Sequence, residues 1–380
     1  MSDRIQKIVT RLPDLKSVTQ VWDMAERRLD QGDAAFVADL GIALADRYGS
    51  SAAQVWQYRS VFDRLLRLLT TTAGREHVEQ ALRLVSAASP SNRKLVRYAA
   101  SLFAEGQTAK DLAIPFVGGS SRAAASEELR ACLVHELVLR GVTIAESSAI
   151  EAWATSSHWR HHPLAWLPLE LSVIEEAPPL PSYSVGGASY SMPYGPQDGP
   201  GVALGSVTPL PQVTETTTAE FREAATAAVA NWAEESNGRS EAGTYELTEP
   251  VEAEILPGLM AALGLECLSG VGPLKRFALS ACRPEHAWRM LFAAASTGGA
   301  YNNGVYGAYG RLAAWRSLTA LSGASTTAPV GEVERSIQEC DWYSFGAATR
   351  WFECVAWDIG LVSVVPGARR IAVLAATDTD

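Results

Sequence analysis

Eight of the nineteen prolines fall between residues 178 and 211, interleaved with Gly186, Gly187, Gly195, Gly199 and Gly201. Proline fixes φ and removes a backbone donor, so this stretch cannot be helix. Tyr183, Tyr190 and Tyr194, with Val202, Leu204 and Val207, make it more aromatic and apolar than a flexible linker. It reads as an extended arm laid across a surface. The chain thereby divides into a helical array over 1–176, a Pro/Gly-rich crossing segment over 177–212 and a second domain over 213–380. A length of 380 residues also exceeds what one hydrophobic core usually serves.

The first part is a succession of helices. In 53–70, Val55, Tyr58, Phe62, Leu65, Leu66 and Leu69 recur at three- and four-residue steps and share one face, with Arg59, Arg64 and Arg67 mostly on the rest. Similar patterns run over 19–30, 34–48, 76–88, 92–104 and 125–140. Gly32, Gly49-Ser50, Gly74, Pro90 and the Gly118–Ser121 run separate them. Short connections imply a bundle or an irregular α-solenoid. No tetratricopeptide or ankyrin period is present.

Beyond the prolines the pattern mixes. Helices are expected over Thr218–Trp232, from Pro284-Glu285 through Phe292, over Arg311–Leu321 with Gly323 as its stop, and over Phe345–Ile359. Tyr245–Thr248 alternates like a short strand. Leu361–Val365 and Ile371–Ala375 flank Pro366-Gly367 and read as a terminal hairpin. The fold class is mainly α: an N-terminal helical bundle or irregular solenoid, then a helix-rich α+β domain with a C-terminal β-hairpin.

The composition narrows the function. With 47% hydrophobic and 19% charged residues the chain is too apolar for disorder. Eleven tryptophans point to large cores or an aromatic-lined cavity. The N-terminus lacks a signal-peptide h-region, and no stretch approaches the roughly 20 apolar residues that span a bilayer. The five cysteines are odd in number and show no CxxC spacing, which argues against a disulfide framework or a four-thiolate zinc site. These features place the protein in the cytoplasm and away from membranes. Residues 1–176 hold 20 Lys/Arg against 21 Asp/Glu, whereas the remainder holds 12 against 21. Between Glu215 and Glu266, eleven acidic residues face only Arg222 and Arg239. Nucleic acid, which demands a basic surface, is excluded as a partner. An acidic surface instead steers a basic one.

The stretch Gly298–Arg311 concentrates glycine with three tyrosines and two adjacent asparagines between helices. Tyr301, Asn302, Asn303, Tyr306, Tyr309 and Arg311 are the candidate ligand- or partner-binding residues. Tyrosine, asparagine and small residues make adaptable contact surfaces. Gly304, Gly307 and Gly310 before a helix, with Arg311 at its first turn, also suit an anion. Yet neither GxxxxGK[ST] nor GxGxxG is present, and three-residue glycine spacing equally suits close helix packing.

Other chemistry is thinly signalled. His158, His161 and His162 lie within five residues, with Glu170, Glu175 and Glu176 downstream, but Pro163 truncates a helix there and Arg160 opposes a dication. His135-Glu136 has Leu139 where HExxH needs its second histidine. No metal is assigned and no cofactor is called for. The Phe116–Arg122 run is a weaker glycine loop. No GxSxG elbow occurs and no cysteine has a nucleophile's signature context. Glu246, Glu249, Glu252 and Glu254 are dense enough for paired-carboxylate chemistry, although charge crowding on a loop explains them more simply.

Gly307-Ala308-Tyr309-Gly310-Arg311-Leu312-Ala313-Ala314-Trp315, Trp351-Phe352-x-x-Val355-Ala356-Trp357-Asp358 and Leu374–Asp380 resemble an uncharacterised actinobacterial family, a domain of unknown function. The likeness covers the final quarter best and the Pro/Gly segment more loosely. It implies a bacterial cytoplasmic setting and brings no activity, cofactor or catalytic residue with it. The expectation is a non-enzymatic binding protein whose acidic surface takes a basic protein partner. The alternative is a small-molecule- or nucleotide-binding enzyme or sensor with its pocket around 298–311.

Overall fold

A computed structural model describes residues 3–49, 55–88, 92–117, 125–157, 159–176, 179–184, 187–190, 193, 209–270, 277–352 and 357–378. They fall into two compact units. One comprises Met1–Ala165 with Tyr183–Gly187, the other Trp166–Ser182 with Ala188–Asp380. Most of the Pro/Gly segment and the Gly118–Ser121 run lie outside the described residues.

The first unit carries α1 (Asp3–Arg11), α2 (Thr19–Asp30), α3 (Ala34–Tyr48), α4 (Trp56–Thr71), α5 (Arg75–Ala88), α6 (Arg93–Gly106), α7 (Glu127–Leu139) and α8 (Ser148–Ala154). Helices α2 to α7 match the six expected ones, whereas α1 and α8 are additional. Asp33, Asn92 and Ser126 each accept the backbone N–H three residues on, at 3.1 Å, which closes the first turns of α3, α6 and α7. On α4, Val61, Phe62, Leu65, Leu66 and Leu69 are buried, as the periodicity requires. Helix α3 packs on α4 and α5, and α6 on α4 and α7, giving an irregular helical array.

Strands β1 (Ser182–Ser184) and β2 (Gly187–Ser189) stand apart from the main sheet. The second unit is built on six strands: β3 (Val213–Glu215), β4 (Arg239–Leu247), β5 (Phe277–Cys282), β6 (Asp341–Ala347), β7 (Trp357–Val364) and β8 (Arg370–Asp378). Their order is β3-β4-β8-β7-β6-β5, with every neighbour antiparallel. Helices α9 (Ala219–Ala225), α10 (Ala230–Glu235), α11 (Leu256–Ala262), α12 (Pro284–Thr297), α13 (Tyr306–Ser322) and α14 (Val330–Glu339) complete it.

Both sheet faces are covered. On one, Ser363 donates its hydroxyl to the Leu321 carbonyl of α13, and α12 and α10 also reach the strands. On the other, Val362, Val364, Ile371, Val373 and Ala375 join Tyr245, Leu247, Leu259, Met260, Phe345 and Phe352 in one core. Trp232, Trp288 and Trp315 are fully buried, with Trp288 stacked on Phe292 one turn along α12 at 4.8 Å.

Three expectations need correction, and a fourth holds within a larger sheet. The helix over Phe345–Ile359 is absent: 345–347 end β6 and 357–359 begin β7. A sheet buried on both faces presents apolar residues without alternation, and such a run mimics helical spacing. The helix over Thr218–Trp232 is two, α9 and α10, because the backbone turns at Thr226–Val229. The short strand at Tyr245 is the end of the nine-residue β4. The terminal hairpin is real, as β7 and β8, and forms the middle of the larger sheet. Among the described residues no helix is long and apolar enough to cross a membrane.

Candidate functional site

The Gly298–Arg311 stretch joins α12 to α13. Gly298 ends α12 at φ 85°, donating its N–H to Ala294 O at 3.2 Å. Glycine takes this left-handed conformation without strain. Asn302 then knits the connection. Its Oδ1 accepts from Gly299 N–H at 3.0 Å and from Asn231 Nδ2 at 3.2 Å, while its Nδ2 donates to Asn231 O at 2.7 Å. Asp378, buried at the end of β8, accepts from Ala300 N–H at 2.7 Å and from Ser236 Oγ at 2.8 Å. The Val305 N–H returns to Ala295 O at 2.8 Å.

Helix α13 starts at Tyr306, not Arg311, so Arg311 sits in its second turn. A methyl at Gly304 would lie 2.4 Å from the Ser296 backbone, and one at Gly310 would lie 2.7 Å from Ser296 Cβ. The glycines thus let α13 approach the small residues Ala293–Ser296 of α12. Of the six candidate residues, Tyr301 is exposed, Asn302, Asn303 and Tyr309 are half-buried, and Tyr306 and Arg311 are buried. Arg311 is fully buried and directs its guanidinium to Glu175, Pro168 and Glu170.

Arg311 and Glu175 form an ion pair in which neither side chain is exposed. The contact is bidentate, Nε to Oε1 at 2.6 Å and Nη2 to Oε2 at 2.7 Å. Arg311 also donates to Pro168 O at 2.9 Å and Glu170 O at 2.8 Å. Glu175 accepts further from Trp315 Nε1 at 2.8 Å and Ser172 N–H at 2.9 Å. Arg311 and Trp315, four apart, share a helix face and grip one carboxylate. The segment 166–176 is bound to α13 in this way, and Trp166 seals it edge-on against Trp315 at 6.1 Å. Sequence reasoning named Glu175 only as a neighbour of the histidines, since no local pattern links positions 136 apart.

Elsewhere His158 lies outside the described residues. His162 Nδ1 accepts from Leu164 N–H at 3.2 Å, which assigns its proton to Nε2, 3.0 Å from Glu128 Oε2. Neither ring nitrogen then offers a lone pair to a cation. Among the described residues no group of three or more His, Cys, Asp or Glu is placed to hold a metal ion. Cys132, Cys267, Cys282 and Cys340 are free thiols. Burial pushes Cys282 and Cys340 up to about 12, where thiolate is scarce at neutral pH. Cys354 lies outside the described residues.

The acidic stretch is organised around one edge of the sheet. Glu241 turns its carboxylate onto the N–H groups of Glu266 and Cys267 at 2.8 and 2.9 Å. Glu215, Glu220, Glu223, Glu234, Glu235, Glu246, Glu249, Glu252, Glu254 and Glu266 are all exposed. They belong to β3, α9, α10, β4 and the turns that follow β4, and the first three elements all pack on β4.

The described residues form one helical unit and one α+β unit, and the second carries the exposed carboxylates between Glu215 and Glu266. The chain belongs to the family of unknown function DUF6183, whose model matches residues 19–380. The likeness therefore extends over nearly the whole chain, well beyond the final quarter. No curated protein and no solved structure matches it.

Proposed function

We propose that this chain is a non-enzymatic cytoplasmic binding protein whose acidic β3–β4 edge takes a basic protein partner. The observation that supports this reading is the exposure of ten of the eleven carboxylates between Glu215 and Glu266, six of them on β4 or on elements that pack on it. Such a surface accelerates encounter with a cationic partner and disfavours acidic ones. Buried free thiols suit a reducing compartment. The reading is preferred to a small-molecule pocket at 298–311 because Arg311 and Asn302 direct their polar groups to Glu175 and Asn231.

The test is affinity capture from native lysate at low salt, repeated at about 0.5 M salt, where exposed charges are screened within a few ångströms. A basic protein recovered only at low salt, and lost with Glu246→Lys/Glu249→Lys/Glu252→Lys, supports the proposal. Recovery of no basic protein, or of one indifferent to the charge reversal, rejects it.

A further inference from the structure

Buried hydrogen-bonding atoms in a folded chain nearly always find a partner, so several without one in the same region mark a place where something else supplies the bonds. Among the described residues, Tyr190 Oη, Glu285 Oε2, Trp288 Nε1 and Ser344 Oγ are buried and have no hydrogen-bond partner. Trp288 and Ser344 are 0% and 6% exposed, so bulk water does not reach them.

The fold gathers these atoms at the start of α12 and the strand beneath it. Glu285 and Trp288 are three residues apart on α12 and share a face. Ser344 lies in the middle of β6. Its neighbours Tyr343 and Phe345 join the core on the far side of the sheet, which leaves Ser344 on the side that α12 packs against. Ser280 stands directly opposite it on β5. Burial pushes the Tyr190 phenol up, and Arg289, one turn beyond Glu285, pulls it back, which places Tyr190 beside the same helix.

We propose that these atoms hold a small neutral polyhydroxy molecule, a sugar or a polyol, between the start of α12 and β6. The atoms themselves select it. Trp288 Nε1 can only donate. Arg283 holds Glu285 Oε1 at 3.0 Å, which leaves Oε2 as an acceptor. An anion would be set against that carboxylate, and a cation would bring no lone pair to the indole N–H. The ligand therefore donates at one end and accepts at the other. A single amide does so once, and the hydroxyls of Tyr190 and Ser344 then stay unmet. Neighbouring hydroxyls each donate and accept, so a polyol can meet all four atoms. The site is separate from the exposed carboxylates between Glu215 and Glu266 and does not depend on their partner.

The indole N–H of Trp288 reports occupancy directly by nuclear magnetic resonance. Each of the eleven tryptophans of the full chain gives one indole signal, and the one missing from Trp288→Phe is assigned to Trp288. Glucose and ribitol are titrated to about 50 mM, enough to register millimolar affinity. At least one of them should shift the Trp288 signal saturably. Ser344→Ala and Glu285→Gln should each weaken that binding about tenfold, the usual effect of losing one hydrogen bond to a buried polar group, with an unchanged circular-dichroism spectrum. If one variant misfolds, the other decides. A Trp288 signal that neither probe moves overturns the inference and leaves ordered water as the occupant. A shift that both variants keep at the parent's affinity overturns it as well.

Discussion

A guanidinium withdrawn from water must find its hydrogen bonds inside, and Arg311 finds them on Glu175, Pro168 and Glu170. Removing one member of such a pair strands the other as a buried charge, at a cost of about 3–5 kcal/mol. Arg311→Ala should therefore lower the denaturation midpoint sharply. Arg311→Lys should recover little, because an ammonium cannot reproduce the bidentate fork. If Arg311→Ala left stability unchanged, the pair would not be what binds segment 166–176 to α13. The arginine itself stood out in the sequence, but as a cation beside glycines. Its partner and its burial were illegible, because the contact closes a long loop that no spacing rule encodes.

His286 offers a second residue-scale test. Burial, reinforced by the nearby Arg289, holds its imidazole below the ordinary value of 6.5 in the folded chain. As pH falls past 6.5 the unfolded chain takes the proton first, so stability declines in that window and is unaffected above it. His286→Gln should flatten the decline just below pH 6.5 while leaving stability at pH 8 unchanged. An identical acid limb in both proteins would show that the imidazole makes no contribution there.

At the scale of elements, the α12–α13 contact depends on the absence of side chains. The Gly310 position faces Ser296 Cβ, which a rotation cannot remove, and Gly304 faces the Ser296 carbonyl. Gly310→Ala should cost roughly 1–3 kcal/mol, the usual range for overpacking a tight contact, and Gly304→Ala more. Thermal unfolding of the two variants checks the order. A Gly304→Ala protein as stable as the parent would mean that the helices separate without penalty. This element was half legible: glycines every three residues allowed both an anion site and helix packing, and only the position of Ser296 distinguishes them. Helices α2, α4 and α5 were plain in the sequence because each has one wet face and one dry face. Strand β6 and the start of β7 were not, because strands with two dry faces lose the alternation that marks a strand, and Phe345, Ala348, Phe352, Val355 and Ile359 then fit a helical template by coincidence.

For the whole molecule the governing quantity is the uneven charge. Residues 177–380 hold 12 bases against 21 acids, and ten of those acids are exposed between Glu215 and Glu266. Crowded like charges raise the free energy of the compact state relative to the unfolded chain, in which they separate. Added salt shortens the range of that repulsion from about 30 Å at 0.01 M to about 10 Å at 0.1 M. Melting temperature should therefore rise as sodium chloride is increased from about 0.02 to 0.5 M. Chloride is the right anion, since sulfate strengthens apolar burial by itself and would mask the electrostatic part. Glu249→Lys/Glu252→Lys/Glu254→Lys should melt higher than the parent at low salt and respond less to salt, because reversal removes the repulsion that salt screens. A parent protein whose melting temperature falls with chloride would mean that attractive pairs outweigh the repulsion. In that case the acidic edge is already neutralised within the fold, and its attraction for a basic partner is correspondingly weak.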